Sequence, residues 1–115
     1  MLDGRVLLDG GAPLLPHMHR LGVDPGDIAV VFVTHFHGDH TLGLPPFVLH
    51  RVFVDRRPLT FVGPSGTERH LERLWNVSWG SDWKRVMRPQ FKVRYLDAKP
   101  SGIAGGVQYE TVRLD

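Results

Sequence analysis

An apolar run of six residues, IAVVFV at positions 28–33, passes directly into a histidine-rich segment, and this junction constrains the chain more than any other feature. A run of that length and character is typical of a strand that is buried on both faces. The next residues, THFHGDH at 34–40, contain three histidines and one aspartate. Imidazole and carboxylate groups are ligands that zinc, manganese and iron take in proteins. The junction therefore predicts a metal site at the end of a buried strand.

The spacing of the candidate ligands suits two metal ions. In an extended segment, His35 and His37 point to the same side, because side chains alternate along a strand. A turn at Gly38 could then bring Asp39 and His40 towards a second position. We therefore predict that His35 and His37 hold one divalent ion and that Asp39 and His40 hold the other. The alternative is a solvated polar loop that follows a strand.

Strand-like and helix-like segments alternate along the sequence, which favours the α/β class in one domain over residues 1–115. We expect strands over residues 5–8, 28–33, 59–62, 91–96 and 107–114, and helices over residues 13–21, 41–53 and 66–79. Pro45 and Pro46 must then lie in the first turn of the second helix or interrupt it. Ser65 and Glu68 fit a capping box at the start of the third helix.

Three tryptophans, at positions 75, 79 and 83, recur at four-residue spacing. The sequence Gly80-Ser81-Asp82 is expected to end the helix before the last of them. We interpret this stripe as core packing or a protomer interface, and stacking on nucleic-acid bases is the alternative. The histidines outside the cluster, His17, His19, His50 and His70, are interpreted as surface or packing residues.

The composition of the chain indicates in which cellular compartment it is expected. The chain has no cysteine, which excludes disulfides and thiolate metal sites and suits a reducing cytoplasm. No apolar run is long enough to span a membrane, and the N-terminus lacks the pattern of a signal peptide. We therefore expect a cytoplasmic protein without a membrane partner. The formal net charge of +2 is only a weak indication of a polyanionic partner.

The pattern H-x-H-x-D-H resembles the signature of the metallo-beta-lactamase superfamily of metal-dependent hydrolases. The stretch LLDGG at 7–11 is similar to the strand and turn that precede the signature in that family, and Asp27-Ile28 is similar to its lead-in. The continuations HGDHTLGLP at 37–45 and PLTFVGPSG at 58–66 resemble the ribonuclease Z branch most. Nearly all of the chain can be aligned with one half of such a domain.

The resemblance implies a fold and an activity. The fold is an αββα sandwich, of which residues 1–115 correspond to a partial, N-terminal half. The activity is that of a ribonuclease Z-like endoribonuclease, a phosphodiesterase that processes the 3′ end of precursor tRNA, so that RNA is the expected partner. The sequence does not fix the oligomeric state; since relatives often dimerise, a homodimer is one candidate. Further ligands lie beyond position 115 in relatives, so we expect little activity from the 115 residues alone.

The resemblance also implies site roles. Two divalent ions, zinc in the first place and otherwise manganese or iron, would be held by His35, His37, Asp39 and His40, and they would activate a water molecule for hydrolysis. Asp39 would in addition accept a proton from that water. Asp9 would orient a ligand histidine through a hydrogen bond, although it could equally be an ordinary turn residue before two glycines.

Two alternatives stay open. The first keeps the superfamily and changes the substrate to a thioester, a lactone, a sulfate ester or a small cyclic phosphodiester. The second is a non-catalytic fragment that binds metal, because half of the expected ligands lie outside the sequence.

Overall fold

A parallel sheet of four strands organises the chain, for which a computed structural model describes residues 5–111 except the side chain of Asp39. The strands lie side by side in chain order, and each neighbouring pair is parallel. They are β1 (Val6–Leu8), β2 (Val30–Phe32), β3 (Leu59–Gly63) and β4 (Val93–Asp97). Parallel neighbours need long crossovers, and helices occupy each crossover here. The predicted α/β class is confirmed.

The helices and a separate hairpin complete the described part of the chain. The helices are α1 (Leu14–Arg20), α2 (Gly38–Thr41), α3 (Leu44–Phe53) and α4 (Thr67–Trp79). Short 3-10 turns occupy Pro25–Asp27 and Arg88–Gln90, and a π turn occupies Trp83–Met87. An antiparallel hairpin follows β4 and consists of β5 (Ser101–Ala104) and β6 (Val107–Glu110).

The run at 28–33 is buried on both faces of the sheet, as predicted. Val31 and Val33 belong to a large core that they share with the helices. Val30 belongs to a smaller core on the other face, where Phe32 packs beside Ala104 of the hairpin. The sheet is therefore a middle layer between helices and a β-hairpin, which explains why the run shows no polar alternation.

The tryptophan stripe packs mainly into the helix-side core. Trp75 and Trp83 are completely buried, and their ring centroids lie 6.1 Å apart. Trp79 is only partly buried. The helix does end before Trp83, as expected, but the π turn returns that residue to the core. Core packing is therefore confirmed for Trp75 and Trp83, and neither is accessible to a nucleic-acid base.

The predicted capping box at the start of α4 is wrong. Helix α4 begins after Gly66 and not after Ser65. The φ of Gly66 is 86°, which lies in the left-handed region, and a glycine has no side chain that could accept a hydrogen bond from a helix amide. Instead, the amides of Gly66 and Thr67 donate to Oδ1 of Asp97 at 3.1 and 3.2 Å. Asp97 ends β4, so the adjacent parallel strand delivers a carboxylate to the helix start, where an anion is favourable.

Other element boundaries differ from the sequence prediction in ways that have local causes. The expected helix over 41–53 is split into α2 and α3, and Pro45 and Pro46 lie in the first turn of α3. The expected strand over 91–96 begins later, because a 3-10 turn precedes it. Strand β5 was not predicted, since its sequence SGIA is short and lacks β-branched alternation. The predicted strand over 107–114 ends at Glu110, and residues 112–115 lie outside the described part.

Within residues 5–111, no helix combines the length and the apolar character that crossing a membrane requires.

One buried cation connects α3 to the segments that precede two of the strands. Arg51 is completely buried, and its guanidinium donates only to backbone carbonyl groups. The acceptors are the carbonyl oxygens of Pro25 (3.3 Å), Ile28, Asp55 (3.1 Å), Arg57 (2.5 Å) and Pro58 (3.2 Å). These carbonyls belong to the segments that lead into β2 and β3. A single side chain thus satisfies backbone acceptors that burial would otherwise leave without donors.

Replacement of Arg51 by methionine should strongly destabilise the fold. Arg51→Met keeps an apolar stem but leaves several carbonyls without a donor, so the free energy of unfolding should fall by at least about 3 kcal/mol. Arg94→Met, on the exposed part of β4, should change it by less than about 0.5 kcal/mol. Urea denaturation followed by circular dichroism measures both. Equal losses in the two variants would contradict this role of Arg51.

Candidate metal centre

The histidine segment follows β2 and lies at the side of the sheet where the C-terminal ends of the parallel strands meet. Strand β1 ends beside it, with Leu8 opposite Phe32, so Asp9 comes next to the start of the histidine segment. The amide of Asp9 donates to the carbonyl oxygen of Phe32 at 2.7 Å, which continues the pairing by one residue. The parallel pairing therefore brings together two segments that lie far apart in the sequence.

The Asp9 carboxylate is the centre of the hydrogen bonding at this edge. Its Oδ1 accepts from the amide of Thr34 at 2.8 Å. Its Oδ2 accepts from the hydroxyl of Thr34 at 2.8 Å and lies 2.8 Å from Nδ1 of His40. One carboxylate thus contacts the residue before the histidine cluster and the last histidine within it.

Asp9 is held in an ionised and conformationally unusual state. Burial alone would raise its pKa, but the hydrogen bonds from the Thr34 amide, His40 and the Thr34 hydroxyl outweigh burial and leave the pKa below its ordinary value. Its φ is 58°, a left-handed value that few residues other than glycine adopt. Such conformations persist where the surroundings fix them, and they concentrate at functional sites.

The hydrogen bonds that indicate the tautomers of two histidines involve Nδ1 in each case. If Nδ1 of His40 donates to Asp9, then Nε2 carries the lone pair that a metal ion needs. Nδ1 of His35 lies 3.1 Å from the Thr34 hydroxyl oxygen. Since that hydroxyl already donates to Asp9, Nδ1 of His35 is assigned as a donor and Nε2 as the ligand atom.

Three imidazoles lie close together in this segment. The ring centroids of His35 and His40 are 4.8 Å apart. Those of His35 and His37 are 6.0 Å apart, with an angle of 22° between the ring planes. Two imidazoles on one zinc ion, each with a Zn–N bond of about 2.0–2.1 Å, place their centroids roughly 5 Å apart. The 4.8 Å separation of His35 and His40 is close to that value, whereas the 6.0 Å separation of His35 and His37, the pair predicted to share one ion, exceeds it. The chemistry of the donors fits a divalent metal ion, and His35 and His37 would have to approach each other to share one.

The assignment of the four ligands stays a prediction. Among the side chains that the structure describes, no three from His, Cys, Asp or Glu form a group that could hold a metal ion. The predicted set includes Asp39, whose backbone lies in α2 and whose side chain is outside the described part. The turn predicted at Gly38 is confirmed, because α2 begins there and the amide of His40 donates to the carbonyl of His37 at 2.9 Å.

Two glycines let the segment after Asp9 pack against the histidine cluster. The amide of Gly10 donates to the carbonyl of His40 at 2.6 Å, and the amide of Gly43 donates to the carbonyl of Gly10 at 2.7 Å. A Cβ on Gly43 would lie 2.5 Å from the carbonyl oxygen of Gly11. Any larger residue at position 43 would therefore push α3 away from the site.

The four histidines outside the cluster lie on helices. His17 and His19 are exposed on α1, and His50 lies on α3. His70 stacks on Phe36, with ring centroids 4.2 Å apart. Sequence reasoning missed Thr34, whose signal was its place between the buried strand and the first ligand. The hydrogen bond of Asp9 to a histidine has the geometry expected of an orienting residue.

Asp9→Asn should weaken metal binding without a comparable change in fold. Asparagine tolerates the left-handed backbone, but it removes the charge that aligns His40 and Thr34. We expect the affinity for Zn²⁺ to fall by about 10- to 100-fold. Competition with a chromophoric chelator measures the affinity, and Asp82→Asn, on an exposed side chain, is the matched control. Unchanged affinity in Asp9→Asn would show that Asp9 is an ordinary turn residue.

Comparison with known protein families gives one match along almost the whole chain. The family model described as Anti-Pycsar protein Apyc1 matches residues 2–114.

Curated relatives carry the name ribonuclease Z. The protein of Haloferax volcanii is 36% identical over 104 residues, which cover 89% of this chain and 30% of that protein. The protein of Pyrococcus horikoshii is 40% identical over 75 residues, which cover 64% of this chain and 24% of that protein. The chain thus spans less than a third of the length of these relatives. The predicted resemblance to the ribonuclease Z branch is confirmed.

Solved structures show the same fold. Human tRNase Z, short form, superposes with a TM-score of 0.61 at 22% identity, and the match covers 86% of this chain and 38% of that one. A long-form RNase Z from yeast gives a TM-score of 0.55 at 19% identity and covers 80% and 13%. The described elements therefore correspond to part of a metallo-beta-lactamase fold, as predicted.

Proposed function

We propose a function from one premise: the chain belongs to the family described as Anti-Pycsar protein Apyc1. It supplies the first set of metal ligands to a metal-dependent hydrolase of phosphodiester bonds. The observation that carries the proposal is the Asp9 carboxylate, which lies 2.8 Å from Nδ1 of His40 and accepts from Thr34 beside His35. A structural turn does not need an ionised carboxylate that orients an imidazole at the end of a buried strand.

The ligands are divided between two ions. His35 and His37 hold one divalent ion, Asp39 and His40 hold the other, and zinc suits this donor set best while manganese or iron would also fit. When bound, such a pair supplies a water molecule of lowered pKa and stabilises negative charge on phosphate oxygens. The remaining ligands come from residues outside this sequence.

The chain's own side chains then have separate tasks. Asp9 stays ionised and fixes the orientation of His40, and Thr34 fixes that of His35. Asp39 accepts a proton from the attacking water, in addition to binding metal. Proton acceptance by a positioned carboxylate contributes typically 10²- to 10⁴-fold to the rate.

The substrate we favour is RNA, with cleavage at the 3′ side of precursor tRNA. The curated relatives are named ribonuclease Z, and the structural neighbour is a tRNase Z. A cytoplasmic location fits the absence of cysteine from the sequence. A homodimer is a further hypothesis, which the molar mass in solution, measured by light scattering, would test.

A second candidate substrate is a small cyclic phosphodiester. The family model that covers nearly the whole chain is not described as ribonuclease Z, and the relatives that carry that name are only 31–42% identical. These matches therefore leave room for a phosphodiester other than precursor tRNA. The same ligand set would hydrolyse either kind of phosphodiester, because the attack on phosphorus is the same. The two candidate substrates differ in size and shape, so the residues that bind the substrate outside the reacting phosphate would distinguish them.

A chimera tests the proposed activity with a complete ligand set. This chain would replace the matching segment of the Haloferax volcanii ribonuclease Z. We expect cleavage of precursor tRNA that requires Zn²⁺ or Mn²⁺, and a decrease in kcat of about 100-fold or more in Asp39→Asn, measured on gels with labelled RNA. Asp82→Asn should leave kcat unchanged. Full activity of Asp39→Asn with metal retained would overturn the proton-acceptor role.

The same chimera, assayed on a cyclic nucleotide and on bis(p-nitrophenyl) phosphate, distinguishes the two substrates. Preference for the cyclic nucleotide would support the second candidate. A chimera that folds and binds metal but cleaves none of the three substrates would contradict the proposal. The 115-residue chain alone is expected to turn over little of any substrate, so robust metal-dependent turnover by it would show that no further ligands are needed.

A further inference from the structure

The residue between the first two candidate ligands is held by a ring on a different element. Phe36 lies between His35 and His37, and its ring stacks on the imidazole of His70, with centroids 4.2 Å apart and an angle of 12° between the planes. His70 belongs to α4, and it is not among the predicted ligands. We propose that His70 is a positioning residue for His35 and His37; the proposal rests on the metal site proposed above.

The histidine segment has two anchors, one on each side of His35. On one side, the amide and the hydroxyl of Thr34 donate to Asp9, both at 2.8 Å. On the other side, the Phe36 ring lies on His70 and also packs against the main core. Planar peptide bonds link Phe36 directly to both ligands, so fixing Phe36 restricts the backbone from which both imidazoles extend.

The anchor on α4 is itself well fixed. The start of the helix is held by Asp97, whose Oδ1 accepts from the amides of Gly66 and Thr67. The next turns are held by Leu71, which is 1% exposed, and by the fully buried Trp75. A helix that is capped at one end and buried along one face provides a stable support for the ring of His70.

The His70 ring lies beside the glycine that precedes the helix. A Cβ on Gly66 would lie 3.4 Å from Cδ2 of His70, so the imidazole lies directly against the first turn of α4. The amide of His70 also donates to the carbonyl of Gly66 at 3.0 Å. His70 is only partly buried, so its ring contributes to the Phe36 contact more than to the core.

Three variants of the full 115-residue chain test the proposal. His70→Phe keeps a flat ring that can stack on Phe36, whereas His70→Leu keeps apolar volume without a ring face. His19→Leu, on the exposed side of α1, is the control. The first readout is ¹⁵N relaxation of the backbone at residues 35–37, measured without metal. The second is the affinity for Zn²⁺, measured by chelator competition, and thermal midpoints are recorded for all variants.

We expect His70→Leu to increase fast motion at residues 35–37 and to weaken Zn²⁺ binding by about 2- to 10-fold, as the loss of an aromatic pair implies. In the separate variant His70→Phe, the motion at residues 35–37 and the Zn²⁺ affinity should equal those of the unmodified chain. His19→Leu should change neither quantity. If relaxation at residues 35–37 is the same in His70→Leu as in the unmodified chain, the proposal is overturned, whatever the zinc affinity. Failure of His70→Phe to restore the order lost in His70→Leu would overturn it as well.

The relaxation readout separates this proposal from the proposed function. It needs neither bound metal nor turnover, so a chain that binds no zinc can still show whether His70 orders the histidine segment. Conversely, a metal-dependent phosphodiesterase in which all three variants behave alike would keep its function and lose this role of His70.

Discussion

The candidate site depends on one carboxylate placed between two parallel strand ends. Asp9 follows β1, and the histidine segment follows β2, so the pairing of these strands brings Asp9 within 2.8 Å of both Thr34 and His40. The hydrogen bonds more than offset the burial of Asp9 and hold its pKa low, which keeps it an acceptor at neutral pH. Loss of that charge would leave His40 without the partner that selects its tautomer.

Three features elsewhere in the fold support this edge of the sheet. Arg51 satisfies carbonyls in the segments that lead into β2 and β3 and so fixes where these strands begin. Gly43 allows α3 to approach the turn after Asp9. Asp97 caps α4, which carries His70 to the Phe36 ring. Gly43 and Asp97 act on segments that contact the histidine segment or carry a residue to it, whereas Arg51 acts at the opposite ends of β2 and β3. None of the three acts on a metal ion itself.

The local part of this arrangement could be predicted from the sequence, and the tertiary part could not. The apolar run at 28–33 and the histidines that follow it are contiguous, so periodicity and spacing sufficed for the buried strand and the turn at Gly38. The cap of α4 was mispredicted because its carboxylate, Asp97, lies about thirty residues away along the chain and reaches the helix only through sheet pairing. The burial of Arg51 could not be predicted either, since nothing in a sequence indicates that a guanidinium will meet buried carbonyls.

The proposed site requires that Asp9 sets the tautomer of His40 and so leaves Nε2 to bind the metal ion. Long-range ¹H–¹⁵N spectra of the imidazoles, recorded on the 115-residue chain during a titration with Zn²⁺ at neutral pH, would report this tautomer. We expect His40 to carry its proton on Nδ1 before and after zinc is added, and the Nε2 resonances of His35 and His40 to shift on addition. A proton on Nε2 of His40, or imidazole resonances that zinc leaves unchanged, would show that Asp9 does not have this role.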